Sequence, residues 1–550
     1  MRIRLNNVIA ILLVVLIFSS CSKRPEHVNY IPKDAVAVAG INLKSLSKKI
    51  AWNMITGSKL FNEMKKRFPE KSSKDAMSGI EKAGIDPFNT FYVYVKTDNR
   101  FKGGNRITGL VPLNDANAWE TYVKQVFPKV QITQHGDRKE ASLGTDMYVG
   151  WNKNLLIIIN VLADNDLQDN SSRNKGTEMA QADISAEMEN AFSVKKENSI
   201  VQNKHFEELE LKGHDISFWL NYEQLMLNYS SEMADKMGGL TLSNSLWKDI
   251  AFTVGFDFIK GKIAGEMHYY LSDSLKSIGA EFGGANADND MISRLPGKNM
   301  DMLLAMHISP KGLKDLMEKF GLLGMANAGL RMQDMNVDNV LDAFTGDMAI
   351  VMNDFSITTQ KVKEEFMGEV IEHEVQKPNL SMSYVVKINK KENFQSLLKL
   401  AKDAGLKTMG NGFVVPLDEK DSVYIVMNDQ YAVVSNKNNY AQGILNADFK
   451  GQKMSSTASS VINGYPWAMF IDVDELFKGI DPSISHSAHD SAIVAESKKL
   501  LSSFSFNGGA FKNNGFEYHL DISFKNTEEN SLIELMDFGM KLSDANNLDN

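Results

Sequence analysis

Residues 35–46 read AVAVAGINLKSL: an alternating apolar run, a polar residue at Asn42, and then the first turn of a helix. Alternation of this kind is the period of a half-buried strand, and the polar residue that ends it stands where a helix N-cap belongs. The signature returns three times, as ISFWLNYEQL over 216–225, MLLAMHISPKGL over 302–313 and WAMFIDVDEL over 467–476. Asn42, Asn221, His307 and Asp472 hold the equivalent place. A side chain there can accept a hydrogen bond from the unpaired amides of the first helical turn, so capping is the expected role and a four-residue ligand cluster the rarer one.

Longer stretches repeat as well. Val111-Pro112-Leu113-Asn114 leads into a run with Trp119, Tyr122, Val123 and Val126 at helical spacing; Val386-Lys387-Ile388-Asn389 leads, without a gap, into Phe394, Leu397, Leu398 and Ala401. Downstream, 148–160 and 424–436 are equal in length, and each reads as strand, turn, strand. Phe252–Leu271 and Phe504–Phe524 read as hairpins around Gly261 and around Asn513-Asn514-Gly515. These matches predict a tandem duplication, with one half over 28–283 and another over 291–544, each a mainly antiparallel sheet with amphipathic helices. The expected class is α+β. Two insertions interrupt the correspondence: 164–204, in which 178–192 could be helical, and the charged stretch 354–380, found only in the second half. Both are expected at the surface, and any function local to one half would reside in them.

Chemistry-bearing patterns are sparse. His486, His489 and Asp490 are the best metal-like group, because residues three apart share a helix face and imidazoles with a carboxylate suit zinc. No nearby motif supplies further ligands, and an exposed polar first turn explains them equally, so no metal and no cofactor is expected. Glu372-His373-Glu374 lacks metalloprotease spacing, and Asp164-Asn165-Asp166 with Asp169 fails as a calcium loop where glycine and a closing glutamate belong. The chain has no nucleophile elbow, phosphate loop or dinucleotide fingerprint. Its 29 methionines are dispersed at helix and strand spacings, which fits core filling.

The N-terminus carries an address. Arg2 and Arg4 precede an unbroken apolar run, Val8–Phe18, followed by Ser19, Ser20 and Cys21, the single cysteine in 550 residues. That order matches an export signal, and the run is too short for a transmembrane helix, which needs about 20 apolar residues. Phe18-Ser19-Ser20-Cys21 is similar to a bacterial lipobox, with Phe18 where leucine is usual; Cys21 is therefore the expected lipidation site and residues 1–20 the signal peptide. Residues 21–29 read as a lipidated tether able to hold the folded body roughly 25 Å from the bilayer. Loss of residues 1–20 leaves 58 basic against 69 acidic residues, a net charge of −11 that excludes an electrostatic nucleic-acid binder. With Cys21 acylated, no disulfide can form.

The lipobox, Tyr30-Ile31-Pro32-Lys33-Asp34-Ala35 with the strand after it, and Asp215–Tyr222 together resemble a family of uncharacterised lipoproteins from anaerobic Gram-negative gut bacteria, over nearly the whole mature chain. The resemblance implies an exported, lipidated protein classed as a domain of unknown function, with no catalytic residues to carry over. Ser22 after the cysteine, in place of the aspartate of an inner-membrane retention signal, implies the outer membrane. Lys23 and Arg24, in place of an acidic run, imply the periplasmic side. The expected function is a non-catalytic, lipid-anchored cell-envelope binding or interaction module, its partner an envelope protein or glycan. The alternatives are a hydrolase of envelope polymers or glycans, and a carrier of an apolar ligand between the two halves.

Overall fold

The computed structural model describes residues 24–50, 82–97, 105–144, 147–162, 181–227, 246–366, 369–403, 405–410, 412–417, 421–480 and 488–546. These fall into two compact units: residues up to 240 with Ala251–Asp257, and residues from 258 onward with the described part of 241–250. Both are α+β, and the strand pairings described are antiparallel.

The first unit is built on strands β1 (Ala37–Asn42), β2 (Thr90–Thr97), β3 (Asn105–Pro112), β4 (Ile132–His135), β5 (Arg138–Ser142), β6 (Met147–Trp151), β7 (Leu155–Leu162), β8 (Ile216–Asn221) and β9 (Ala251–Ile259). Their order across the sheet is β4-β5-β6-β7-β3-β2-β1-β8-β9. β7 is apolar on both faces because both are covered. Leu155, Ile157 and Ile159 enter one core, with Tyr92, Leu110 and Trp219, under helices α3 (Gln181–Phe192) and α4 (Lys204–Lys212). Leu156 enters the other, with Trp151, under Trp119 and Val123 of α2 (Ala116–Val126). Asp115 caps α2, its carboxylate accepting from the amides of Asn117 at 2.9 Å and Ala118 at 3.1 Å. The short helix after β1 is α1 (Leu43–Lys49).

The second unit contains β10 (Lys262–Tyr270), β11 (Met300–His307), β12 (Phe344–Phe366), β13 (Glu369–Ile388), β14 (Lys407–Met409), β15 (Gly412–Pro416), β16 (Ser422–Met427), β17 (Tyr431–Ser435), β18 (Trp467–Asp472), β19 (Leu501–Lys512) and β20 (Gly515–Phe524). Their order is β14-β15-β16-β17-β13-β12-β11-β18-β19-β20-β10. From β14 to β19 this repeats the first unit strand for strand. The helix α6 (Lys391–Asp403) packs Phe394, Leu397 and Leu398 over Phe413 and Met427, as α2 packs over Trp151.

Three features differ from the sequence reading. The compact units do not divide at 283/291, because β10 pairs with β20 over nine residues, from Lys262 opposite Ser523 to Tyr270 opposite Gly515, and so belongs with the second unit. The spacer expected over 21–29 is corrected from Arg24 onward: Glu26–Tyr30 is a 3-10 turn in which Val28 is fully buried in the core, so burial holds it in place. The described residues of the charged insertion at 354–380 are strand, the far part of a long β12–β13 hairpin. Beyond the bulge at Asn353/Ser356 its strands pair with each other, from Ser356 opposite Asn379 to Phe366 opposite Glu369.

Candidate functional site

Three of the four recurrent polar residues cap helices. Asn42 accepts from the amide of Ser45 at 3.0 Å, Asn221 from Gln224 at 3.1 Å and Asp472 from Glu475 at 3.0 Å. His307 departs from the pattern, because its helix, α5 (Pro310–Lys319), starts later behind Ser309, whose hydroxyl accepts from Gly312 at 3.1 Å. The imidazole instead meets Asp347, Nδ1 to Oδ1 at 3.0 Å, and Thr345 donates to the same carboxylate at 2.7 Å. These side chains belong to separate helix starts and form no ligand cluster.

Of the metal-like group, Asp490 is exposed in the first turn of a helix spanning Ala488–Leu500. The side chain of His489 lies outside the described residues, as do His486 and 164–169. Among the described residues no group of three or more His, Cys, Asp and Glu could hold a metal ion. Glu372 and Glu374 are exposed on the β12–β13 hairpin, where Lys361 approaches Glu372 at 3.7 Å. Cys21 also lies outside the described residues.

A recess of about 440 Å³ lies in the first unit. Its floor is the sheet. Lys96 on β2 stands opposite Arg106 on β3, and Tyr94, Thr108 and Ile159 lie in register across β2, β3 and β7. Its wall is α3 with the segment behind it, which contribute Glu187, Asn190 and Lys195, and its lip is Pro32-Lys33-Asp34. Arg106 is 2% exposed and ion-paired to Glu187; Lys96 meets Asp34 at 2.9 Å. Burial pushes the Tyr94 phenol above its ordinary range, against a hydrogen bond to Thr108 that pulls it back. A recess of this size suits a small ligand or a short polymer segment.

One observation singles this recess out. Its wall, α3, has a counterpart in the second unit, where the helix Asn438–Asn446 follows β17 and packs Ala441 and Ile444 on the equivalent face, so the difference lies in the floor. In the second unit, where the gap-free alignment and the register place the equivalents of Lys96 and Arg106, Asn353 stands opposite Ser381, and both are buried. Asn353 there donates to the carbonyls of Pro296, Lys298 and Asn299. The charged floor thus belongs to the first unit, while its counterpart is an internal hydrogen-bonding position. Sequence reading passed over Arg106. The available signal was its phase, since Arg106, Thr108 and Leu110 share a strand face and Leu110 lies in the core.

Two smaller features lie nearby or in parallel. On the far side of α3, a recess of about 270 Å³ is lined by His135, Glu140 and Ser185, with Ser185 donating to Glu140 at 3.0 Å. In the second unit, one of about 410 Å³ lies between α6 and β15, where Lys391 meets Asp429 at 2.6 Å. Among the described residues, no helix is long and apolar enough to cross a membrane.

Fold and site define an antiparallel α+β protein of two like-ordered units, the first of which carries a recess with the buried Arg106–Glu187 pair. The chain belongs to the family described as Domain of unknown function (DUF4836), whose model matches residues 27–532. Among curated proteins none matches the chain. Of solved structures, crystal form III of TP0453 is similar at 8% identity over 48% of this chain and 88% of that one, with a TM-score of 0.25. Crystal form IV gives 7% identity over 47% and 85%, with a TM-score of 0.25.

Proposed function

We propose that this protein is a lipid-anchored, non-catalytic binding module of a Gram-negative cell envelope, attached through Cys21 to the periplasmic face of the outer membrane. Its ligand is a polar envelope component, a glycan or a segment of an envelope protein, that enters the recess between β2, β3 and α3. The observation that carries the binding reading is the buried Arg106, set against Glu187 on a floor whose counterpart in the second half is the uncharged pair Asn353 and Ser381. The lipobox-like run before Cys21 supports the anchor.

Photocrosslinking from Lys33, exposed at the lip, tests the ligand. A specific adduct from living cells that is lost in Arg106→Met/Glu187→Met supports the module, and no adduct under several growth conditions overturns it. Incorporation of an acyl-chain analogue tests the anchor separately, with Cys21→Ala expected to abolish it and release the protein from membranes.

A second reading, hydrolysis of an envelope polymer, is favoured by the presence of Asp34 and Glu187 in one recess. Each of these carboxylates is held by a cation, which suits binding better than proton transfer. Turnover of isolated cell-wall glycan that Glu187→Gln removes would establish it.

A further inference from the structure

We infer that the membrane surface itself packs against one face of the first unit, the outward side of α4, where the N-terminal segment docks. The inference rests on the lipid anchor at Cys21, and it comes from where the folded body begins. Arg24, three residues after Cys21, is already ion-paired to Glu207 of α4. Val28 lies in one core with Phe206 and Leu209 of α4, and the His27 ring nitrogen Nε2 lies 2.6 Å from the carbonyl of Thr90. The segment is thus fastened by burial as well as by charge.

Only Ser22 and Lys23 separate the cysteine from this docked segment. Three residue steps reach at most about 11 Å. A bilayer about 40–45 Å thick around an apolar core of about 30 Å has a headgroup layer of roughly 5–8 Å on each side. Arg24 is therefore held within little more than one headgroup layer of the lipid.

The face presented there fits an interface. Phe206 and Leu209 turn inward, Phe206 meeting Trp219 of β8 ring to ring at 5.9 Å. Lys204, Glu207, Glu208, Leu211 and Lys212 make up the other side, the two lysines standing against the two glutamates. Leu211 is 61% exposed, and Arg24 offsets the charge of Glu207. An exposed leucine beside a lysine whose stem can reach a headgroup is the composition of an interfacial helix face.

Because Cys21 is the single cysteine and carries the lipid, one introduced cysteine gives one labelling site. Full-length lipidated protein bearing Leu211→Cys with a small fluorophore is placed in vesicles of phosphatidylethanolamine with a minority of phosphatidylglycerol and headgroup-nitroxide lipid. The control label is Asp137→Cys, in the exposed β4–β5 turn, seven strand spacings or about 34 Å across the sheet from β8. Quenching several-fold stronger at 211 than at 137, falling to the control level when a long Gly/Ser spacer is inserted between Lys23 and Arg24, is the expected result. Equal quenching at both positions, or indifference to the spacer, in a protein that still floats with the vesicles overturns the inference and leaves the anchor standing. Loss of flotation together with an unmodified N-terminal peptide by mass spectrometry overturns the anchor, and this inference with it.

Discussion

Asp301 shows how one buried carboxylate couples a unit to pH. It is 1% exposed and its carboxyl is pushed up to about 6, first by burial and then by Glu475, Asp354 and Asp472, against a 2.9 Å bond from the Phe355 amide. A carboxyl raised on folding contributes stability that is full below its unfolded value near 4 and is lost as pH rises through about 6. Asp301→Asn, which keeps an acceptor for Phe355, should therefore raise the melting temperature at pH 8, by at most about 3 kcal/mol of stability, and the gain should vanish near pH 4. An equal gain at both pH values would refute the assignment. The Arg106–Glu187 pair makes a second residue-scale prediction. Arg106→Met alone should cost about 3–5 kcal/mol by leaving Glu187 unpaired, whereas the double change to methionine should be nearly neutral in denaturant melts. Near-neutrality of the double variant is what lets it report on binding. Capping was legible at Asn42, Asn221 and Asp472, since strand-end polar residues before a helix have few other uses. His307 broke the rule because Ser309 and Pro310 moved the helix start two residues along.

At the scale of elements, the β12–β13 hairpin is the instructive case. Its outer half read as a charged insertion because period-two alternation shows only when one face is buried and the other wet. Lys377, Glu374, Lys361 and Glu372 are all exposed, so solvent erased the contrast. What fixes the ribbon is its base. Asp354 adopts a positive φ of 56° at the bulge, the Phe355 amide bonds Asp301, and the Ile357 amide donates to the carbonyl of Gly479 at 2.8 Å. A Cβ at Gly479 would stand 1.8 Å from the Phe355 carbonyl oxygen. Gly479→Ala should thus destabilise the second unit by about 1–3 kcal/mol in thermal melts, while replacing the outer ribbon by a tight turn should leave its melting temperature almost unchanged. A ribbon deletion as damaging as Gly479→Ala would show that the outer strands pack on something beyond each other. The helical part of the first insertion was, in contrast, legible: Gln181–Phe192 lies inside the stretch read as helical, since Met188 and Ala191 bury one face.

At the scale of the whole molecule, the strand that changes units carries the prediction. β10 continues the first half in sequence, yet it forms a nine-residue ladder with β20 and an ion pair between Lys262 and Asp521 at 2.7 Å. A fragment spanning 258–546 should be more stable than one spanning 272–546, which lacks the β10–β20 ladder. Equal melting temperatures would show that the ladder adds nothing.

The sequence by itself determined the alternation of strands and helices, the recurrence of one strand order, the α+β class and the presence of a single cysteine, Cys21. Each of these is written in local periodicity or in a single residue type. Tertiary structure alone decided that β10 joins β20, that Arg106 faces Glu187, and that Arg24 is fastened to α4. Those pairings join residues far apart in the chain, and periodicity reports which face of an element is buried, not which distant element buries it.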